Sequence, residues 1–245
     1  MIIDTEEPLA IAVVEAIHIG DVEALRRLLA ENPGLTNAQL GGDPDNSCDG
    51  GMTRSLLHVA TDWPGHFPNA AATVAALLDA GAEVDARFTG PHNETPLHWA
   101  ASSDDVEVLD VLLDAGADIE ASGAVIAGGT PLDDAVAFGQ WHAARRLVER
   151  GAHTSLWHAA ALGLIDRVEE CVAASPDLDA ITEAFWCACH GGQRRTAQYL
   201  LEQGADLNWV GYDDLTPFDA AQRSEAPELA EWLRDQGAKS TAELA

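Results

Sequence analysis

Three side chains in this sequence carry the groups that proteins most often use to move protons. Asp134 offers a carboxylate, and His158 and His190 offer imidazoles, whose ordinary pKa lies near neutral pH. A carboxylate beside an imidazole can act as an acid–base pair, so these three residues are the catalytic candidates if the protein is an enzyme. The sequence has neither the G-x-S-x-G segment of a serine nucleophile nor a glycine-rich phosphate loop. We therefore predict no cofactor.

The segment Cys187-Ala188-Cys189-His190 has the residue types of a metal site. It lies in a helical pattern, however, and residues two apart on a helix point about 200° apart. Cys187 and Cys189 therefore cannot hold one ion together, and we predict no metal site. The four cysteines of the chain are too few and too unevenly placed for a disulfide framework, so we expect reduced thiols.

A second group of candidates consists of aromatic and imidazole side chains that recur along the chain. Apolar patches at a protein surface usually mark binding sites, so these residues are the candidates for contact with a ligand or a partner. They are Trp63, His66, Trp99, Phe138, Trp157, Trp186, Trp209 and Tyr212. Whether they share a surface depends on the elements that carry them.

Residues 95–121, TPLHWAASSDDVEVLDVLLDAGADIEA, contain one complete structural unit that the rest of the chain repeats less perfectly. Thr95 and Pro96 favour a helix start, because the threonine hydroxyl can cap free amides and proline lacks an amide hydrogen. Apolar residues then recur at the spacing of two short amphipathic helices, and Gly116 suits a left-handed cap. The segment resembles the ankyrin repeat, whose signature is T-P-L-H-x-A in a period of about 33 residues.

Seven such units can be placed along the sequence. They lie near residues 11–33, 55–82, 95–117, 130–152, 154–176, 183–205 and 216–238. The step from Thr130 to Thr154 is shorter than the step from Thr95 to Thr130, which indicates a missing connector and a second sub-array that begins at Thr154. The resemblance implies an all-α ankyrin-repeat solenoid with short β-hairpin fingers. We predict a single solenoid over residues 1–245, with a tail at 239–245 that frays.

Two segments interrupt the repeats. Residues 40–53, LGGDPDNSCDGGMT, are typical of an irregular connector. Part of this segment imitates the first half of a calcium loop, but Leu56 stands where that loop requires a glutamate, so we favour a plain connector. Residues 61–71, TDWPGHFPNAA, lengthen the turn between the two helices of the second unit and predict a bulge.

The resemblance also implies a concave groove, formed by the first helices and the fingers, where members of the family mostly bind other proteins. His58 and His98 occupy the motif histidine position, which is structural in the family, and Trp157 and Trp186 stand at that position in their own units. Where the connectors are shortened, we expect the first helices of units four to six to leave one open pocket. The alternative is that the gap only allows the two sub-arrays to stack closely. The residues expected to line this pocket are Trp99, Asp134, Phe138, His158, Trp186 and His190.

The charge of the chain restricts its partners. With 13 basic and 41 acidic residues, the formal net charge is -28, which repels nucleic acids and anionic membranes and favours a monomer. We find no signal-like start and no long apolar run, so we expect a cytoplasmic protein. The single lysine and the many alanines indicate a GC-rich bacterial genome or a salt-adapted source.

Two functions remain open at this point. The favoured one is a binding scaffold that recognises a partner protein or peptide in the groove, because repeat arrays of this class usually bind rather than react. The alternative is a small-molecule-binding or catalytic pocket in the same groove, with Asp134 and His158 as its acid–base pair. A groove open along its length favours a protein partner, whereas a closed cavity favours a small ligand.

Overall fold

The computed structural model describes residues 1–41 and 51–244. The chain divides into two compact units, Met1–Ala152 and His153–Ala245. The second unit begins at His153, one residue before Thr154, where the spacing of the repeats shortens. In both units short helices joined by tight turns make up most of the described structure, as the sequence predicts.

The described part of the first unit contains four pairs of helices. They are α1 (Pro8–His18), α2 (Val22–Glu31), α3 (Leu56–Thr61), α4 (Ala70–Asp79), α5 (Pro96–Ser102), α6 (Val106–Asp114), α7 (Pro131–Ala137) and α8 (Trp141–Glu149). The two helices of each pair pack together. The first helices α1, α3, α5 and α7 form one row, and the second helices form another. In such a solenoid each pair buries its apolar face against its neighbours.

The second unit repeats this arrangement with three pairs of helices and a short final helix. They are α9 (Leu156–Leu162), α10 (Ile165–Ala173), α11 (Leu178–His190), α12 (Arg194–Glu202), α13 (Pro217–Arg223), α14 (Pro227–Asp235) and α15 (Thr241–Leu244). Helix α11 packs against both α9 and α13, so it is the central first helix of this unit.

Side-chain caps begin most of the first helices. Thr95, Thr130 and Thr216 each precede a proline and take part in a capping box with the residue three positions later. In α7 that residue is Asp133, whose carboxylate accepts hydrogen bonds from the amide and hydroxyl of Thr130 at 2.5 and 2.6 Å. A carboxylate therefore replaces the motif histidine at this helix start. Caps of this kind contribute about 1 kcal/mol each to stability.

A small sheet, which the sequence analysis did not predict, precedes α3. Strand β1 (Ile2–Ile3) pairs in parallel with β2 (Gln39–Gly41), which pairs antiparallel with β3 (Thr53–Ser55). The prediction of an irregular connector over residues 40–53 is therefore wrong at both ends. The calcium-like segment and Cys48 lie outside the described residues.

The inserted bulge between α3 and α4 packs closely on the first pair of helices. Gly20 adopts φ +68°, and a Cβ atom there would lie 2.0 Å from the carbonyl oxygen of Pro68. Only glycine fits both the left-handed backbone and this close approach. The ring of Phe67 stacks on His18 with their centroids 4.6 Å apart. The predicted bulge is therefore an ordered part of the first unit.

The second unit differs in two places from what the repeat pattern indicates. Helix α11 begins at Leu178 rather than near Glu183, because Asp177 accepts a hydrogen bond from the amide of Ala180 at 2.8 Å and so caps an additional turn. The tail does not fray over its described residues. Thr241 donates through its amide and hydroxyl to Asp219 at 2.8 and 2.9 Å, which fixes α15 to the start of α13.

None of the helices in residues 1–41 and 51–244 has both the length and the apolar character needed to cross a membrane.

Candidate functional site

The motif histidines hold successive repeats together. The amide of Thr95 donates to Nδ1 of His98 at 3.1 Å, so the proton lies on Nε2, which donates to the carbonyl of Gly129 at 3.4 Å. His58 makes the equivalent bond to the carbonyl of Glu94 at 3.1 Å. Burial lowers the pKa of both imidazoles to about 4, which keeps them neutral near pH 7. Their role is therefore structural.

Trp186 takes the place of the motif histidine in the second unit. Its indole Nε1 donates to the carbonyl of Leu215 at 2.8 Å, and Leu215 directly precedes the capping Thr216. Only 3% of Trp186 is exposed. Trp186 thus makes the bond to the next repeat that the motif histidines make in the first unit, and its place in a pocket stays a prediction.

His158 also stands at a motif histidine position, which the sequence analysis assigned to Trp157. The cap residue of α9 is Ser155 rather than Thr154, and its amide donates to Nδ1 of His158 at 3.2 Å. The predicted alignment is therefore wrong by one residue. Trp157 is only partly exposed, and its ring lies 3.9 Å from the His158 ring.

Asp134 is fully buried in the first unit, where it supports the connector before α7. Its Oδ1 accepts a hydrogen bond from the amide of Ile126 at 3.2 Å, while Oδ2 has no hydrogen-bond partner in the described part of the chain. Burial raises the pKa of Asp134 to about 7, and the nearby charge of Glu94 adds to this rise. The amides of Ile126 and Val125 oppose it.

Each of the three predicted catalytic residues contacts groups within its own unit. His190 is buried and stacks on Trp186, with ring centroids 5.4 Å apart. Asp134 belongs to the first unit, and His158 and His190 belong to the second. The single pocket expected to unite them stays a prediction.

Two aromatic candidates of the first unit are exposed after the first helix of their repeats. Trp63 and Phe138 each follow the cap residue of their repeat, Ser55 or Thr130, by eight positions. Trp63 is 78% exposed and Phe138 is 46% exposed. Trp99 is only partly exposed, and its ring lies against those of His58 and Phe88, with centroid distances of 4.8 and 5.4 Å.

A cleft of about 1010 Å³ lies beside the bulge in the first unit. His66, a predicted ligand-binding residue, lies on its rim and donates its amide to Oδ2 of Asp105 at 2.9 Å. The sequence analysis missed His142 and Arg146 in this cleft. Both are already paired with carboxylates, His142 with Asp104 at 2.7 Å and Arg146 with Asp110 at 2.8 Å. The cleft therefore offers charges of both signs that largely satisfy each other.

A second concave site of about 570 Å³ lies in the second unit between the start of α11 and the finger before α13. Two predicted residues, Trp209 and Tyr212, line it with their ring planes 89° apart and their centroids at 6.1 Å. Asp177, Asp179 and Glu183 add three carboxylates. The sequence analysis missed the two aspartates because it did not recognise the early start of α11.

The cysteine pair of the second unit is buried in α11. Burial raises the pKa of both the Cys187 and the Cys189 thiol, so neither is a ready nucleophile. Among residues 1–41 and 51–244, no group of three or more His, Cys, Asp or Glu side chains is arranged to hold a metal ion.

Comparisons with known proteins agree with this architecture. A family model described as ankyrin repeats in three copies matches residues 68–156, and a second one described as a single ankyrin repeat matches residues 184–212. The crystal structure of the human ASB11 ankyrin repeat domain aligns with a TM-score of 0.53 and 21% identity, over 93% of this chain and 98% of that domain. This likeness concerns the fold alone.

A curated relative is the ankyrin repeat and KH domain-containing protein CBG24701 of Caenorhabditis briggsae. It is 27% identical over 238 residues, which is 93% of this chain. The matched region spans only 8% of the length of that relative.

Proposed function

The chain is an ankyrin repeat protein, and we propose that it is a scaffold that binds a partner protein or peptide through exposed aromatic side chains of its repeats. The observation that carries this proposal is the 78% exposure of Trp63 on the bulge of the first unit. Tryptophan is enriched among the residues that contribute most to binding at protein interfaces. An aromatic side chain offers roughly 150–250 Å² of surface, so covering Trp63 removes a large apolar area from water and favours binding.

The loop that carries Trp63 is fixed on both sides, which supports a binding role. The amide of Trp63 donates to Oδ1 of Asp62 at 3.0 Å, and Asp62 is paired with Arg54 at 2.5 Å. Farther along the bulge, the side-chain amide of Asn69 donates to the carbonyl of Gly20 at 3.0 Å. A loop whose backbone is held in place before binding loses less conformational entropy when a partner covers it.

Phe138 extends the proposed surface to the fourth repeat. It ends α7 directly after Ala137, whereas Trp63 lies on the bulge that follows α3. Two exposed aromatic side chains in the same unit give a partner two anchors. We therefore propose Trp63 and Phe138 as the main contacts of the first unit, with the partly exposed Trp99 between them in the chain.

The alternative of a catalytic or small-molecule pocket has less support. Nδ1 of His158 accepts a hydrogen bond from the amide that begins its own helix, and Asp134 is fully buried under a connector. Neither geometry offers a substrate an open acid–base pair. Protein binding remains the function that the exposed side chains support best.

The test is affinity capture from the source cells with the full chain and two variants, Trp63→Ala and Phe138→Ala. Ile19→Ala is the matched control, since Ile19 is an exposed apolar residue at the end of α1. We expect a partner whose recovery falls at least fivefold with either aromatic variant and stays within twofold with the control. The proposal fails if every captured protein is recovered equally with all three variants. Native mass spectrometry of the purified chain tests the alternative, which requires a retained small molecule.

A further inference from the structure

The concave site in the second unit combines two aromatic walls with a rim of acidic side chains. Trp209 and Tyr212 form the walls, with their ring planes at 89° and their centroids 6.1 Å apart. The remaining lining residues, all within the described part of the chain, include three carboxylates and no lysine or arginine. The chain therefore supplies this site with negative charge and aromatic faces but with no cation of its own.

The aromatic walls are fixed by contacts below them. The rings of Tyr212 and Trp186 pack at 77° to each other with their centroids 5.1 Å apart, and the Tyr212 hydroxyl donates to Oε1 of Glu183. Trp186 is in turn bonded to the carbonyl of Leu215, so Tyr212 rests on a buried and hydrogen-bonded residue. One wall of the site is thus part of the packing that joins α11 to the next repeat.

The position of Trp209 depends on the glycine two residues later. A Cβ atom on Gly211 would lie 2.3 Å from the Trp209 ring, so any other residue there would displace the indole. The absence of a side chain at Gly211 lets the ring lie over the backbone beside the site. Both walls are therefore positioned by specific features of the sequence.

The chemistry of the site selects its ligand. The carboxylates of Asp177, Asp179 and Glu183 would repel an anion. A purely apolar side chain would displace water from these carboxylates without replacing the hydrogen bonds that the water makes. Asp177 caps α11 and so offsets the partial positive charge at that helix start. A cation, by contrast, gains from carboxylates at the rim and from the faces of tryptophan and tyrosine rings.

We propose that this site binds an arginine side chain of a basic segment in the partner protein, with the guanidinium against Trp209 and Tyr212 and its N–H groups directed at the carboxylates. Arginine fits better than lysine because its planar group stacks on aromatic faces, is weakly hydrated and offers five donors. The net charge of -28 also steers a basic segment toward the chain. This inference rests on the proposed function, since it assigns the partner one feature, a basic segment.

The test follows the indole N–H signal of Trp209 by nuclear magnetic resonance, assigned with the Trp209→Phe variant. The probes are three synthetic Gly/Ser peptides of equal length that carry two arginines, two lysines or two citrullines. Citrulline has nearly the shape of arginine without its charge. We expect a saturable shift with the arginine peptide, at least threefold weaker binding of the lysine peptide and no shift with citrulline. Equal shifts with arginine and citrulline, or no shift with either, overturn the proposal.

Two variants separate this site from the general attraction of an acidic protein. Asp179→Asn removes a rim carboxylate, and Asp166→Asn removes an exposed carboxylate of α10 in the same unit. We expect Asp179→Asn to weaken binding of the arginine peptide at least threefold and Asp166→Asn to change it less than twofold. Equal losses in both variants also overturn the proposal, because they indicate non-specific attraction.

The arginine inference and the proposed function fail in different experiments. Trp63 belongs to the first unit. If partner capture depends on Trp63 but the Trp209 signal does not respond to the arginine peptide, only the arginine inference is wrong. Capture that is indifferent to Trp63 and Phe138, together with a specific arginine response at Trp209, sinks only the proposed first-unit surface.

Discussion

Trp63 and Trp186 lie in different units of the chain and have opposite surroundings. Trp63 is 78% exposed on an inserted bulge, whereas Trp186 is 3% exposed in the middle of a row of first helices. The position within the repeat accounts for this difference. Trp186 lies inside α11 at the motif histidine position, where its ring nitrogen reaches the backbone directly before the next repeat. Trp63 lies after the end of α3, beyond the helix residues that pack against the neighbouring repeats.

The largest effect that would test this comparison is the loss of Trp186. Trp186→Ala removes a buried aromatic ring and leaves the carbonyl of Leu215 without its donor, so we expect destabilisation of about 3–5 kcal/mol. Denaturant unfolding measures this effect through the midpoint at an unchanged slope. The partly exposed Trp157 in the same unit is the control, and Trp157→Ala should cost much less.

Two further variants of Trp186 separate its ring from its hydrogen bond. Trp186→His retains a ring nitrogen that can donate to Leu215, as His98 does to Gly129, while Trp186→Phe retains only apolar bulk. Relative to Trp186→Ala, we expect Trp186→His to restore more unfolding free energy for each side-chain atom that it adds than Trp186→Phe does. If Trp186→Phe is as stable as the original chain, the bond to Leu215 contributes nothing measurable.

The next largest effect is expected for His158. Its Nδ1 accepts the amide of Ser155 in a capping box, so we expect His158→Ala to cost roughly 1–3 kcal/mol. His92 is an exposed histidine of the first unit, and His92→Ala should leave the unfolding midpoint nearly unchanged. If the two variants are equally stable, the structural role assigned to His158 is wrong.

Helix pairs could be predicted from the sequence because their signals are local. The Thr-Pro starts and the closing glycines fall within a few residues of the helix that they limit, and the structure places α5 and α6 where these signals indicate. The strand β1 could not be predicted, since two residues carry no periodicity and their partners lie near residue 39. The start of α11 was missed because Asp177 is followed by no proline.

The candidate site could be predicted only in part, for a similar reason. The adjacent pairs Thr154-Ser155 and Trp157-His158 permit two alignments to the motif, and only the hydrogen bonds choose between them. The burial of Trp186 depends on Leu215, which no local pattern reveals. Trp209 and Tyr212 stood out by residue type, but the aspartates opposite them did not, because exposed acidic residues are common in this chain.

A smaller effect that depends on pH is expected from Asp134. The pKa of this carboxyl is about 7 in the folded protein, against about 4 in an unfolded chain. Between these values the folded protein holds a proton that the unfolded chain has released, so this group lowers stability as pH rises from about 4 to about 7. Asp134→Asn keeps an oxygen for the amide of Ile126 and removes the titration.

The Asp134→Asn variant should therefore gain stability relative to the original chain between pH 5 and pH 8, by roughly 1–2 kcal/mol. The buried His58 and His98 have lowered pKa values, so they raise the stability of the folded protein as pH rises, opposite to Asp134. Both histidines are present in the two proteins, so their contribution cancels in the stability difference. Urea unfolding at the two pH values measures this. A difference that is constant, or that shrinks as pH rises, contradicts the raised pKa.

The smallest effect on stability is expected for Trp63, and it completes the comparison. Its exposed ring gives up little packing when it is removed, so Trp63→Ala should change the free energy of unfolding by less than about 0.5 kcal/mol. The amide of Trp63 still donates to Asp62 in this variant, so the bulge retains its anchor. Thermal unfolding of the variant beside Trp186→Ala gives both numbers in one experiment. If Trp63→Ala unfolds as early as Trp186→Ala, the bulge belongs to the core of the first unit, and its tryptophan is part of the packing instead of a surface for a partner.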